Sequence, residues 1–259
     1  MIILDKLFKI LYKALFIFSI AFIATMFLVR IAFNSLDWYD NGFDRHKVYQ
    51  AKYYIGGYAE ELPFTRIQLS EIASDIINYF NSKEEFLDIK KQNLNGEFVD
   101  VFNQREIDHM KDVKNLLEFL YRTQEGLIIY VMLVFTIGFF MSGGGFARQI
   151  ISLINITSYL GISLVTLFGV ISSVAFNQLF IIFHQISFSN DKWILDPLTS
   201  NLIRLFPTQF WIESATLIGL LLILFFISII MSLYIIQWWI YLKQKEAENR
   251  APKYLSPES

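Results

Sequence analysis

Four runs of apolar residues, each of a length that crosses a bilayer as a helix, constrain this chain more than any other feature. A spanning helix needs about 20 apolar residues to traverse a hydrocarbon core of ~30 Å, and the runs at 10–30, 126–142, 156–183 and 214–241 fit that length. Lipid offers no partner to backbone N–H and C=O groups, so such runs must be helical. Lys6, Lys9 and Lys13 flank the first run and Lys243, Lys245, Arg250 and Lys253 follow the last. The positive-inside rule then predicts both termini in the cytoplasm, as an even number of spans requires. The first run exceeds the h-region of a signal peptide and leads to Arg30 without a small-residue cleavage site, so it reads as a retained anchor.

The expected fold class is an α-helical membrane protein: four transmembrane helices, with a mixed helix and β-hairpin extracytoplasmic segment between the first and second spans. The expected division is 1–33 for the N-terminal tail and first helix, 34–125 for the extracytoplasmic segment, 126–241 for helices two to four with an outer loop at 184–213, and 242–259 for a cytoplasmic tail. A net charge of −2 and a 54% hydrophobic content fit a membrane protein and argue against a nucleic-acid partner. The absence of cysteine removes disulfides, thiolate nucleophiles and thiolate metal sites.

Within 34–125, apolar residues recur at helical spacing from Ile67 to Phe80, predicting a helix between Thr65 and Ser82 with Ser70 as a possible N-cap. Short apolar runs on either side of Asn95-Gly96 predict a hairpin over 86–101, because that dipeptide readily supplies positive φ angles. Asn103 three residues before Glu106 matches a capping box. Ile107, Met110, Val113, Leu117 and Leu120 then form an apolar stripe, so His109 is predicted on a helix with Arg105 at i−4 and Asp112 at i+3. A solvated helix face is the plain alternative for that trio. A straight helix from residue 104 into the second span would raise His109 roughly 25 Å above the hydrocarbon edge. A break near Gly126 is therefore expected, with the preceding helix lying along the interface.

The third run ends at His184, followed by Ser187, Asn190, Asp191, Trp193 and Asp196-Pro197. An ionisable residue at a membrane edge is a functional candidate, since its desolvation is unfavourable without a partner; the alternative is ordinary headgroup anchoring by His184 and Trp193. Leu205-Phe206-Pro207 predicts a short outer element before Trp211, a membrane anchor. His46 reads as a solvated loop residue, and Gly143, Gly144 and Gly145 as a tight cytoplasmic turn rather than a phosphate loop. Nucleophile-elbow and zincin motifs are absent, and the spacing of the histidines and aspartates is not diagnostic of a metal, so no metal and no cofactor is expected. Two imidazoles at one membrane edge can take and return protons near neutral pH.

With four spans, the REIDHMKDVK segment, and FHQISFSNDKW followed by DPLTSNLIRLFPTQFW, the chain resembles the bacterial lipoprotein intramolecular transacylases, most specifically over 100–213. By that resemblance His109 and His184 correspond to the family's two functional histidines. It implies an enzyme of the bacterial cell membrane acting on diacylglyceryl-modified lipoproteins at the extracytoplasmic face. The sn-2 acyl chain moves onto the α-amine of the lipidated cysteine, giving lyso-form lipoprotein. Arg105, Asn190 or a charged histidine are the expected oxyanion donors, Asp112 and Asp191 the expected orienting groups, and a groove open to the bilayer the expected lipid entrance. The alternatives are a non-enzymatic membrane sensor or assembly subunit, or an intramembrane lipid hydrolase.

Overall fold

The computed structural model describes residues 2–50, 52–55, 58–93 and 95–250. Helix α1 spans Ile2–Phe33 and α2 Leu36–Arg45. A 3-10 turn at Val48–Gln50 leads to strands β1 (Lys52–Ile55) and β2 (Tyr58–Glu61), which pair antiparallel. Helix α3 covers Arg66–Asn81, and strands β3 (Lys90–Gln92) and β4 (Phe98–Asp100) form a second antiparallel pair. Helix α4 runs Gln104–Ser187, α5 Asn201–Leu205 and α6 Thr208–Arg250. Among the described residues, four helical stretches are long and apolar enough to cross a membrane: Leu4–Phe33, Gln104–Phe140, Gly145–Ser187 and Thr208–Asn249. The protein is a multi-pass membrane protein.

The backbone of α4 stays helical over 84 residues, yet α4 is not straight. The rings of His109 and His184, 75 residues apart in the chain, lie 5.9 Å from each other, whereas a straight helix would separate them by roughly 110 Å. The reversal falls between Gly138 and Phe146, and Tyr130, Val131 and Val134 of one arm share an apolar cluster with Phe146, Ile150 and Leu153 of the other. The phenyl ring of Phe146 lies against Gly138, where a Cβ would stand 2.0 Å from it. This corrects the expected break near Gly126. A lone glycine in a helix costs roughly 1 kcal/mol relative to alanine, too little to end one, and Gly126 sits within continuous helix. Both arms instead extend from the reversal, by about 50 Å to His109 and about 60 Å to His184.

A second core lies outside the bundle. Ser35 caps α2 by accepting from Trp38 N–H at 3.3 Å, and buried Tyr39, Gly42 and Phe43 form its inner face. Phe210 of α6 packs on Gly42 so closely that a Cβ there would lie 2.4 Å from the ring. Leu69, Ile72, Ile76 and Tyr79 of α3 join Phe43, Leu62, Val101, Leu205 and Phe206 in this core. Each such side chain contributes roughly 1.5–3 kcal/mol when fully buried. The cap of α3 is Thr65 in a capping box with Gln68, not Ser70, which lies inside the helix and donates to Asp40 at 2.9 Å. The side chain of Ile67, expected on the apolar stripe, is 74% exposed.

Strands β3 and β4 pair where the hairpin was expected. Gly96 adopts φ +90°, but Asn95 does not take a positive φ, and the turn is closed by Asn93 N–H donating to Glu97 O at 2.8 Å. The loop is thus wider than a two-residue turn. His46 is not a plain solvated residue: it ends α2 with its ring largely buried and Nε2 3.2 Å from Glu213 of α6. Arg45 donates to the same carboxylate at 2.9 Å. Trp211, half-buried, packs on the outer core beside Phe206 and Phe210.

Candidate active site

The capping box expected at the start of α4 is present: Asn103 accepts from Glu106 N–H and Glu106 accepts from Asn103 N–H at 2.7 Å. It starts the helix so that His109, on its second turn, faces the end of the returning arm. His184 sits in the last turn of that arm. The two imidazoles, from opposite ends of one hairpin, are 7% and 6% exposed, and four aromatic rings surround them. Phe188 stands edge-on to His109 at 5.4 Å, Phe180 and Phe183 flank His184 at 4.3 and 5.3 Å, and Trp193 lies 5.1 Å from His184. The rings are closed over by these side chains rather than lining a groove open to the bilayer.

The carbonyl of Phe180 lies 2.7 Å from Nδ1 of His184. A carbonyl only accepts, so Nδ1 carries the hydrogen and Nε2 of the neutral ring keeps a lone pair. His109 differs: its Nδ1 is buried with no hydrogen-bond partner among the described residues. Buried polar atoms are ordinarily paired, so an unpaired one beside a second imidazole calls for a ligand.

The four polar residues expected to support the histidines are joined to one another and to the loop beside the histidines. Arg105 donates to the carbonyl of Ile194 at 3.0 Å and to that of Asp191, whose carboxylate lies 3.6 Å away. Asn190 donates to Asp112 at 2.9 Å, and Lys192 pairs with Asp108 at 3.3 Å. Residues 188–196 thus form a strap latched onto the face of α4 that carries His109, and the strap brings Phe188 against both rings and Trp193 against that of His184. Among the described residues no hydrogen bond joins Asp112 or Asp191 to either imidazole. Arg105 and Asn190, expected as oxyanion donors, here hold the strap.

Glu106 is the residue that the sequence signal understated. Beyond its capping bond, its other oxygen accepts from Ser200 Oγ at 2.6 Å and Leu202 N–H at 2.7 Å, and the side chain is fully buried. It thereby fixes α5, and the outer loop before it, to the helix turn that bears His109. Its position at N3 of a capping box was legible; its long-range partners were not.

A profile of the lipoprotein intramolecular transacylase Lit family matches residues 13–211, most of the chain and both histidines. The chain belongs to the Lit family. An uncharacterised protein of Aquifex aeolicus (strain VF5) is 25% identical over 171 residues, covering 66% of this chain and 70% of that one. The in meso structure of Lit from Bacillus cereus superposes with a TM-score of 0.64 at 18% identity, over 91% of this chain and 97% of that one. A histidine-to-alanine variant of the same Bacillus cereus Lit gives 0.64 at 17% identity, over 95% and 99%. At that identity the likeness is one of fold, and it extends through the α4 hairpin that pairs the histidines in this Lit family member.

Proposed function

We propose that this chain is a lipoprotein N-acyltransferase that moves the sn-2 acyl chain of a diacylglyceryl-cysteine onto the cysteine α-amine, with His109 and His184 as its catalytic residues. The observation that carries the reading is the buried imidazole pair at 5.9 Å, one ring with a fixed tautomer and the other with an unpaired nitrogen. Membership in the Lit family supplies the reaction class.

The α-ammonium first loses a proton to solvent, because only the free amine attacks. The amine nitrogen then bonds to the sn-2 carbonyl carbon as His184 Nε2 takes its proton. The proton taken by His184 passes to His109, and as collapse of the tetrahedral intermediate breaks the acyl carbon–oxygen bond His109 delivers it to the departing alkoxide. Both rings end as they began, so the transfer consumes no co-reactant. Nucleophile and ester belong to one substrate, and holding them together contributes up to ~7–11 kcal/mol in well-oriented cases. No serine or cysteine nucleophile is needed.

The aromatic enclosure favours acyl transfer over hydrolysis, since it excludes the water that a hydrolase would admit. Arg105, Asp112, Asn190 and Asp191 act in this reading as positioning residues, holding the strap that carries Phe188 and Trp193. The strap must lift for the diacylglyceryl group to enter from the bilayer, and its latches are exposed polar contacts of the kind individually worth ~1 kcal/mol or less. The site belongs on the extracytoplasmic face, with both termini in the cytoplasm, because the lysines flank the opposite ends of α1 and α6.

The test is expression in bacteria whose lipoproteins are only diacylglyceryl-modified, followed by tandem mass spectrometry of the N-terminal lipopeptide. An amide-linked acyl with one remaining glycerol ester is expected, absent with His109→Ala and with His184→Ala. Free fatty acid with no amide would indicate a hydrolase, and an unchanged peptide from well-expressed protein a non-enzymatic role.

A further inference from the structure

The α4 hairpin and α6 touch closely in mid-membrane and part below. A Cβ at Gly161 would lie 2.4 Å from the ring of Phe226, and one at Gly219 3.4 Å from Val165, which makes the two helices antiparallel neighbours there. Toward the end away from the histidines, a cleft of about 670 Å³ opens between them, lined among others by Arg148, Ile156, Gln237, Ile240, Tyr241 and Gln244. Arg148 lies thirteen residues from Gly161 along α4, and Trp239 thirteen residues from Phe226 along α6, so these two stand at one level. From Arg148 to His184 is roughly 54 Å of helix, more than the ~30 Å hydrocarbon core, so cleft and histidines face opposite leaflets.

The depth is marked by exposed aromatics. Trp238, Trp239 and Tyr241 are each more than half exposed at the level of Arg148, and such residues settle at the headgroup boundary. Arg148 has no ion pair among the described residues and is the one cation among the residues that line the cleft; Lys9 and Lys243 at the same end pair with Asp5 and Glu246. The amides of Gln237 and Gln244 add neutral donors beside it. Ser152 and Asn155 continue the lining inward beside Ile151, and about 12 Å deeper than Arg148 along α4 the wall presents Ile156, which is 43% exposed. A cation and amides at headgroup depth, above an apolar wall that opens to lipid, match a phosphate with acyl chains beneath it.

We propose that this cleft binds one anionic glycerophospholipid of the leaflet opposite the histidines, its phosphate on Arg148 and its acyl chains along Ile151 and Ile156. The lipid fills the space where the hairpin and α6 diverge. It is a resident of the fold and is distinct from the substrate.

The experiment counts bound lipid by native mass spectrometry on the purified full chain in mild detergent, titrated with phosphatidylglycerol or with phosphatidylcholine of the same acyl composition. One phosphatidylglycerol retained per chain is expected, in preference to phosphatidylcholine. Arg148→Gln should weaken its retention about tenfold, the equivalent of one charge-assisted contact. Lys9→Gln, which removes the same charge at the same membrane surface, should leave retention unchanged, and Ile156→Trp should displace the lipid sterically. Equal retention of the two lipids, or an Arg148→Gln variant that holds phosphatidylglycerol as the parent does, would overturn the assignment. Acyl transfer does not enter the readout, so the outcome is independent of the proposed reaction.

Discussion

His184 and Phe180 stand one helical turn apart, and the imidazole donates its Nδ1–H to the Phe180 carbonyl at 2.7 Å. That carbonyl also belongs to the helix, so the backbone itself fixes which nitrogen of His184 is free. His184→Asn can retain a donor near Nδ1 while removing the proton acceptor at Nε2. Acyl transfer should fall by about 10²-fold or more, the usual contribution of a general base, with the melting temperature little changed. Activity near the parent's in the lipopeptide assay would exclude His184 as the base.

Glu106 accepts from three donors while fully buried. In Glu106→Gln one acceptor becomes an NH2 group facing a donor. The expected loss is about 1–3 kcal/mol, the penalty of a buried unsatisfied group, read from thermal unfolding. Local hydrogen exchange should rise over Asn201–Leu205.

Gly161 accommodates the rigid, buried ring of Phe226. Gly161→Ala should destabilise the chain by about 1–3 kcal/mol through overpacking, and adding Phe226→Leu should recover part of that. If the double variant is no more stable than the single one, the contact does not limit helix approach.

Arg105 holds the strap through two backbone carbonyls. Arg105→Gln should speed hydrogen exchange across 188–196 while leaving that of α6 as it was. Global stability should change by less than about 1 kcal/mol, because the side chain is nearly half exposed. Uniform exchange changes across the chain would mean that the strap is part of the main folding unit.

Asp44 is hydrogen-bonded through both oxygens to Arg66, which holds its carboxyl below the ordinary carboxylate range. The folded state therefore binds that proton less readily than the unfolded state does. This stabilisation is complete above the ordinary aspartate pKa of ~3.9 and is lost as pH falls through the lowered folded value. The melting temperature of the parent should decline more steeply below pH ~4 than that of Asp44→Asn; parallel declines would show that the pair is thermodynamically silent.

The spans were legible because lipid permits only one backbone solution for a long apolar run. The pairing of Asn103 with Glu106 was legible because a capping box is local. Helix α2 escaped notice: LDWYDNGFDR holds too few apolar residues to mark a period, and its inner face is completed by Phe210, far along the chain. Thr65 displaced Ser70 as a cap because Gln68 completes its box, a signal present in the sequence but masked by the longer apolar pattern around it. No break is needed at Gly126, because the returning arm of α4 is long enough to carry His184 to the level that a continuous helix gives His109. Aspartates placed near the histidines by spacing were drawn instead to Asn190 and Arg105, partners that no local pattern encodes.

Because both imidazoles ride at the far tips of one doubled helix, the hairpin acts on them as a lever. An angular drift of one degree at the reversal displaces a tip ~50 Å away by about 0.9 Å, while productive geometry tolerates about 0.5 Å. The glycine seat for Phe146 thus works as a bearing that holds the angle between the arms, and the seat for Phe226 fixes the returning arm against α6. Alignment of the chemistry at one membrane surface is set by how tightly two phenyl rings are seated far below it.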